Sequence, residues 1–411
     1  MRVLLISAEY PPMEGGVGDY TRRLGLALRD QGMEVFLLTS EGGKGFLEDA
    51  LPVFPWIRNW GWSCLKAIAR LVGEVRPDTL HVQYQTGAYG MRPAIHFLPD
   101  RLKRLPMHVP LVVTMHDLHL PYLFPKAGPL RHAIVAHLLR GADAVVVTNA
   151  ADLVRLQGVR SSARGSSPIW LRPLSSGTLR RPPELIPLGS SLPADLPGYD
   201  RAAWRARLGV APDQALLGYF GLLHPSKGAD LLVEAAARAR EYFGLPLRLL
   251  FVGGGTGATD PGNRVFLEAL RTRIRALGLE AAVLWSGPCA AEEAAAHLRA
   301  CDLVVLPYRD GASFRRSSLI AALALGCPVL TTEPLEAEEV SLGHGQGDLR
   351  DGENVALVER GNALALAEGI IRWLADPQGR ARLAAGAARL GRPFRWPEVA
   401  ARVCALYSRL R

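Results

Sequence analysis

The chain has 411 residues, of which 49% are apolar and 21% charged, with a formal net charge of +9. This is the profile of a globular protein and excludes a largely disordered one. The length predicts two or three domains, each able to bury a core without a disulfide or metal staple.

The N-terminal apolar run is too short for a secretory leader and is followed at once by Glu9. No apolar run reaches the 18 residues a membrane span needs. Short β-branched or Leu-rich runs at 3–8, 35–39, 79–83, 111–115 and 144–148 alternate with helical stretches. A second series follows at 216–220, 247–252, 281–286, 303–307 and 328–332. Near-continuous apolar strands separated by helices predict parallel sheets covered on both faces, and two series predict two doubly wound α/β domains. The Pro-, Gly- and Ser-rich stretch 186–200 reads as the linker between them. Val399, Val403, Leu406, Tyr407 and Leu410 repeat at three and four, which predicts an amphipathic helix from about Trp396.

Two features of composition bear on partners. Only five of the 48 basic residues are lysines, a bias that fits a GC-rich genome and makes the net charge poor evidence for nucleic acid. Residues 155–181 hold six arginines and no acid. That stretch reads either as a solvated loop or as a patch for anionic lipid head groups or an acidic polymer. Five widely spaced cysteines without a C-x-x-C argue against a disulfide framework or a cysteine zinc site and fit a reducing cytoplasm.

The chemistry-bearing residues follow the strands. EYPPMEGGVGDY sets Gly15, Gly16, Val17 and Gly18 before a helix expected over 19–29. Small residues there let backbone approach a ligand, but the spacing is not that of a dinucleotide site. His116 and Asp117 follow LVVTM, at the carboxyl edge where open α/β sheets take ligands. A neutral His there can hydrogen-bond a sugar hydroxyl or a reacting oxygen. The spacing of His119 and His132 matches no metal motif. Lys227 and Gly228 lie in a strand-to-helix turn, where a lysine can neutralise a phosphate. Gly253 and Gly254 form a second close-approach loop, and Gly287 follows the next strand. Ser313 reads as the N-cap, and Gly326 as the closing residue, of a helix over 314–325. Arg315 and Arg316 then fall in its first turn with Ser317 and Ser318. Cations there oppose the helix dipole by a few tenths to about 1 kcal/mol each, which a bound diphosphate would offset. The alternative is that both arginines reach solvent or pair with Asp310.

Taken in order, EYPP-x2-GGVG, the T-x-HD ending at Asp117, the KG at 227–228, VGGG at 252–255, AALALGCPV ending at Val329, and a last helix with Trp396 and Tyr407 carry a resemblance. The chain resembles the group 1 family of retaining, nucleotide-sugar-dependent glycosyltransferases with the GT-B fold. The resemblance implies two facing Rossmann-like domains around a cleft. Residues 1–190 form the acceptor side, 201–392 the nucleotide-sugar side, and a helix within 393–411 packs back on the first domain. It implies retaining transfer from a nucleotide diphosphate-sugar to a glycan, lipid-linked or small-molecule acceptor, without a metal or resident cofactor and without nucleic acid. The leaving diphosphate would be stabilised by cations and helix N-termini.

On this resemblance His116, Lys227 and Arg316 are the catalytic candidates. Gly16, Val17, Gly18, Lys227, Gly253, Gly254, Gly287, Ser313, Arg315, Arg316, Ser317 and Ser318 are the donor candidates, and Tyr84, Gln85 and Asp117 the acceptor candidates. The chain departs from the family in three places. Leu222 stands where members carry an arginine, and Ser313 and Ala321 where they carry two glutamates. A rebuilt donor site is the expectation. A non-catalytic nucleotide- or glycan-binding protein of the same fold is the alternative, and a nucleotide-sugar epimerase would need acidic groups that are not evident. The arginine-rich stretch adds an expected peripheral contact with an anionic membrane at the cytoplasmic face. Each basic residue near such a surface contributes about 1 kcal/mol, screened by salt. The protein should therefore co-sediment with anionic but not neutral liposomes and come off at high salt; equal pelleting with both excludes the contact.

Overall fold

A computed structural model describes residues 1–13, 15–45, 49–118, 130–157, 179–244, 246–253, 261–343 and 347–411. Gly254, His119 and most of the arginine-rich stretch lie outside the described residues. The chain forms two compact units, one of Met1–Gly189 with Trp396–Arg411 and one of Ser190–Arg395.

Unit 1 runs β1 (Arg2–Ser7), α1 (Gly16–Asp30), β2 (Glu34–Ser40), β3 (Val53–Ile57), α2 (Cys64–Val75), β4 (Thr79–Tyr84), α3 (Leu98–Leu102), β5 (Leu111–Met115), α4 (Leu130–Gly141), β6 (Ala144–Val147), α5 (Ala150–Gln157) and β7 (Glu184–Leu185). Unit 2 runs α6 (Arg201–Arg207), β8 (Ala215–Gly221), α7 (Ala229–Phe243), β9 (Leu247–Gly253), α8 (Pro261–Ala276), β10 (Val283–Trp285), α9 (Ala291–Ala300), β11 (Leu303–Leu306), α10 (Ser317–Ala324), β12 (Val329–Thr332), β13 (Ala356–Val358), α11 (Ala363–Ala375) and α12 (Pro377–Gly391). The last helix, α13 (Trp396–Ser408), returns to unit 1.

The sheets are ordered β3-β2-β1-β4-β5-β6-β7 and β10-β9-β8-β11-β12-β13, and the paired strands run parallel. Each order reverses beside the first strand of its unit, which is where doubly wound sheets open a crevice at their carboxyl ends. The ten apolar runs all became strands. β3, β7 and β13 were not anticipated: β3 contains Pro55 at a sheet edge, and the other two have two and three residues. Edge strands tolerate proline and short length, so their sequence signal is weak.

Alternation along β1 shows why both faces are covered. Leu4 and Ile6 pack with Ile68, Leu71 and Val72 of α2, while Val3 and Leu5 pack with Leu24 and Leu28 of α1 and with Val399, Val403 and Leu406 of α13. α13 is seated at its start by Trp396, whose indole meets Tyr20 at 5.3 Å and lies so close to Gly189 that any Cβ there would overlap it. The return to unit 1 therefore begins at Trp396, not 393. Residues 392–394 form a 3-10 turn of unit 2, with Phe394 buried 5.2 Å from the Phe314 ring.

One polar bridge ties α13 to the sheet beneath it. His81 is fully buried on β4, with Nδ1 2.6 Å from the Tyr407 hydroxyl and Nε2 2.7 Å from Thr114 Oγ1. Burial, with a smaller contribution from His116, pushes the imidazole down to about 3, so it is neutral in the folded protein. Unfolded histidine titrates near 6.5. The unfolded chain therefore binds the extra proton as pH falls, and the stability present above pH 6.5 is lost as pH falls toward 3. Tyr407→Phe should leave a buried imidazole nitrogen unpaired and cost about 1–3 kcal/mol, read as a lower urea midpoint with an unchanged m-value.

Candidate functional site

In unit 2 the loops after β8 and β11 meet at the carboxyl edge of the sheet. Gly228 has φ +69°, and a Cβ there would overlap the Pro307 carbonyl, so only glycine lets the two loops touch. The Arg309 amide donates to the Ser226 carbonyl at 2.9 Å and reinforces that contact. Lys227 is thereby brought beside the buried Tyr308, with Nζ 5.2 Å from the ring centre. The Arg316 guanidinium lies 5.2 Å from the same ring and is ion-paired with Asp310. The Tyr308 hydroxyl is 2.7 Å from Ser318 Oγ in the first turn of α10. Two cations thus flank one aromatic ring at the amino end of a helix, a geometry favourable to both cation–π contact and anion binding.

Burial lowers the Lys227 ammonium to about 8, repulsion from Arg316 adds to this, and Asp310 acts in the opposite direction. The group is cationic at neutral pH, and a second anion between it and Arg316 would relieve the repulsion.

The start of α10 differs from the expected 314–325 helix. α10 is capped by Arg316 and begins at Ser317, so Arg315 and Arg316 precede the helix and do not occupy its first turn. The reason is tertiary. The Phe314 amide donates to the Glu339 carbonyl at 2.7 Å, and the Phe314 ring is buried against Phe394, which holds this segment out of the helix. Ser313 caps a turn and not the helix: its hydroxyl accepts from the Arg315 amide at 3.1 Å and donates to Glu339 Oε2 at 2.6 Å. Arg315 turns to Glu339 at 3.8 Å, away from the Arg316 pair. Ser317 is exposed, and Ser318 is buried under Tyr308. Gly253, at φ +82°, donates its amide to Ser286 Oγ at 2.9 Å, and Gly287 follows at φ +65°. Leu222 is 54% exposed, and Ala321 is in the core.

In unit 1 His116 follows the last residue of β5. Its amide donates to the Tyr84 carbonyl at 3.0 Å, its Nε2 is 2.9 Å from Gln83 Oε1, and the Tyr20 ring meets it edge-on at 4.7 Å. Burial lowers the imidazole to about 4, which leaves it neutral. Asp117 follows, partly exposed, and Gln85 is also partly exposed. Tyr84 does not join them. It is fully buried, with its hydroxyl shared between Thr86 Oγ1 at 3.0 Å and His96 Nε2 at 2.7 Å, which places its side chain in the core. Among the glycines of the first turn, Gly16 has open space at its Cβ position, whereas Gly18 is pressed against the Glu9 and Tyr10 backbone. Gly18 thus serves helix packing, and Val17 is buried. Glu9, beside this turn, has its carboxyl raised by burial. Sequence reasoning missed Gln83 and Tyr308, which sit in or beside strands that read as core, whereas the pairing with Asp310 that the sequence offered for both arginines holds for Arg316.

Among the described residues no cluster of three His, Cys, Asp or Glu side chains could hold a metal ion, and no helix is long and apolar enough to cross a membrane.

Comparison with known proteins follows the same division. Residues 214–376 match the family model described as glycosyl transferases group 1, and residues 15–164 match the glycosyl transferase 4-like domain. The D-inositol 3-phosphate glycosyltransferase 1 of Catenulispora acidiphila is 30% identical over 355 residues, covering 83% of this chain and 76% of that protein. The D-inositol 3-phosphate glycosyltransferase of Kineococcus radiotolerans is 32% identical over 232 residues, covering 55% of this chain and 51% of its own. The chain thus spans about half the length of several of the curated relatives it matches. Among solved structures, Anabaena HepE in complex with UDP superposes with a TM-score of 0.73 at 20% identity over the whole of both chains. Sucrose-phosphate synthase from Thermosynechococcus elongatus superposes at 0.67 and 22% identity, over 100% of this chain and 99% of that one. At such identities the structures show the fold.

The Lys227–Tyr308–Arg316 cluster predicts a pH signature. A lysine lowered to about 8 in the folded state and near 10.5 when unfolded makes the unfolded chain bind the extra proton between those values. Its burial penalty is complete below pH 8, and stability rises from about 8 to 10.5. Inorganic pyrophosphate, which needs the charged form, should bind about tenfold more weakly per pH unit above 8. Calorimetry checks this, and Lys227→Met should bind weakly and without that lysine-linked dependence.

Proposed function

The chain belongs to the group 1 glycosyltransferases, and on that premise we propose that it moves a glycosyl group, with retention, from a nucleotide diphosphate-sugar to a glycan, lipid-linked or small-molecule acceptor. The observation that carries the proposal is the convergence of Lys227 and Arg316 on the Tyr308 ring at the start of α10. A diphosphate placed there meets two cations at the amino end of α10, and the charge that grows on it as the glycosidic bond breaks is stabilised by groups already in position. The reaction so drawn asks for no metal and no resident cofactor. Arg316 supplies the second cation in a chain that has Leu222 where the family has arginine. Asp310 holds the guanidinium in place before substrate arrives.

In unit 1 the neutral His116 offers a ring nitrogen to a sugar hydroxyl, with Asp117 and Gln85 beside it as partly exposed polar groups, and Gly16 leaves room for close approach. UDP, the nucleotide held by the HepE structure, is the first donor base to assay, and D-inositol 3-phosphate, from the relatives' names, is an acceptor to include. Peripheral attachment to an anionic membrane through the arginine-rich stretch remains part of the proposal.

The second reading is a nucleotide-binding protein without turnover. The exposed Leu222 and the buried Ala321, in positions where the family carries an arginine and a glutamate, favour it. Hydrolysis of a nucleotide-sugar without acceptor separates the two, because a binding protein shows none. For the enzyme, Arg316→Ala should lower turnover about 100-fold, roughly 2.7 kcal/mol of transition-state stabilisation. Arg315→Ala should change it little, since Arg315 faces Glu339. Lys227→Ala should weaken nucleotide diphosphate binding with the fold intact. Equal turnover in all three variants overturns the assignment of the diphosphate site.

A further inference from the structure

β4 carries a line of polar side chains on one face, Thr79, His81 and Gln83, in a strand that is buried from end to end. His81 is accounted for by its two partners, Tyr407 and Thr114. Gln83 is not. It is fully buried between Ser7 of β1 and Thr114 of β5, its Oε1 lies 2.9 Å from His116 Nε2, and its Nε2 has no hydrogen-bond partner among the described residues. A buried amide with an unmet donor costs stability, and a leucine or methionine of similar size would fill the space without that orphan. Packing therefore does not explain the glutamine, and its one bond, to His116, does.

We propose that Gln83 is the positioning residue of His116, holding the imidazole as the tautomer protonated on Nε2 so that Nδ1 presents a lone pair to a hydroxyl of the bound sugar. An amide oxygen only accepts, so the hydrogen of the pair belongs to His116 Nε2. The ring plane is fixed independently by the Tyr20 edge contact, at 4.7 Å and 77°, and the main chain by the His116 amide bond to the Tyr84 carbonyl. Nδ1 has no partner among the described residues and is absent from the buried unpaired atoms, and His116 is partly exposed, so this nitrogen can meet a ligand. The remaining titratable groups around the ring are Tyr20 from α1, His81 from β4 and Asp117 next in the chain. None of the contacts seen for Tyr20 or His81 competes with Gln83 for Nε2. The proposal rests on the reading of His116 as a sugar-contacting group, and it adds the residue that decides which nitrogen makes that contact.

The test uses the full chain with Gln83→Leu and Gln83→Glu. Long-range proton–nitrogen NMR of the His116 ring should show the Nε2–H tautomer in the parent and in Gln83→Glu, and a mixture in Gln83→Leu. With a nucleotide-sugar donor, Gln83→Leu should lower kcat about tenfold or more at unchanged KM for the donor and unchanged affinity for the nucleotide diphosphate. A carboxylate at this position favours the charged ring, so Gln83→Glu should retain the tautomer and move the acid limb of the kcat profile to higher pH. An Nδ1–H tautomer in the parent overturns the proposal, as does an unchanged tautomer and kcat in a folded Gln83→Leu protein. If Gln83→Leu fails to fold, the parent tautomer and the Gln83→Glu profile decide. A parent that neither binds nucleotide diphosphates nor turns over any donor refutes the functional reading instead, while the NMR result still decides whether Gln83 sets the ring.

Discussion

The cationic edge of unit 2 depends on the absence of one carbon atom. At Gly228 a Cβ would run into the Pro307 carbonyl, and the backbone adopts a left-handed φ of +69°. That near contact presses the loop after β8 onto the loop after β11. Without it, Lys227 would have no reason to lie over Tyr308, and Tyr308 would not join Lys227 to the first turn of α10. Parallel strands make the juxtaposition possible because β8 and β11 are neighbours whose carboxyl ends open on the same side. The chemistry of the site is therefore a consequence of sheet order and one close backbone approach, with the charged side chains added to a frame already set.

The two units manage buried polarity in different ways. In unit 2 the cluster holds cations at the edge of burial, where an aromatic ring and Asp310 offset the cost of partial desolvation. In unit 1 desolvation leaves two imidazoles neutral: His81, fully buried, is lowered to about 3, and His116, partly exposed, to about 4. His81 has two partners and serves to bind α13 to the sheet. Among the described residues the His116 ring has one hydrogen-bond partner, Gln83. The two differ in exposure, His81 being fully buried and His116 partly exposed, and in how many of their ring nitrogens have partners among the described residues.

Particular residues show how far sequence patterning reaches. Lys227 stood out as one of five lysines in an arginine-rich chain and closes the short turn between β8 and α7, where it was expected. His116 follows the strand LVVTM as the sequence indicated. Arg315 and Arg316 look equivalent in sequence, yet one turns to Glu339 and the other to Asp310 and Tyr308. Ser313 has the residue type of a helix cap but spends its hydroxyl on Glu339, 26 positions away in sequence. Tyr84 ends a strand at the ligand-bearing edge but points its hydroxyl into the core.

The sequence by itself determined the two series of buried strands, the α/β class, the family and the turns that carry Gly16, His116, Lys227 and Gly253. These follow from local periodicity and from glycine and proline chemistry, which act within a few residues. Only the tertiary structure decided where α10 begins, which arginine joins Lys227, that Tyr84 is core and that Gln83 holds His116. Each of those depends on a partner on another strand or loop, at a distance in sequence over which no periodicity extends. A side chain at a loop or strand end goes to whichever group the neighbouring elements bring within hydrogen-bonding reach, and that is fixed by the packing of the sheet and not by the residues beside it.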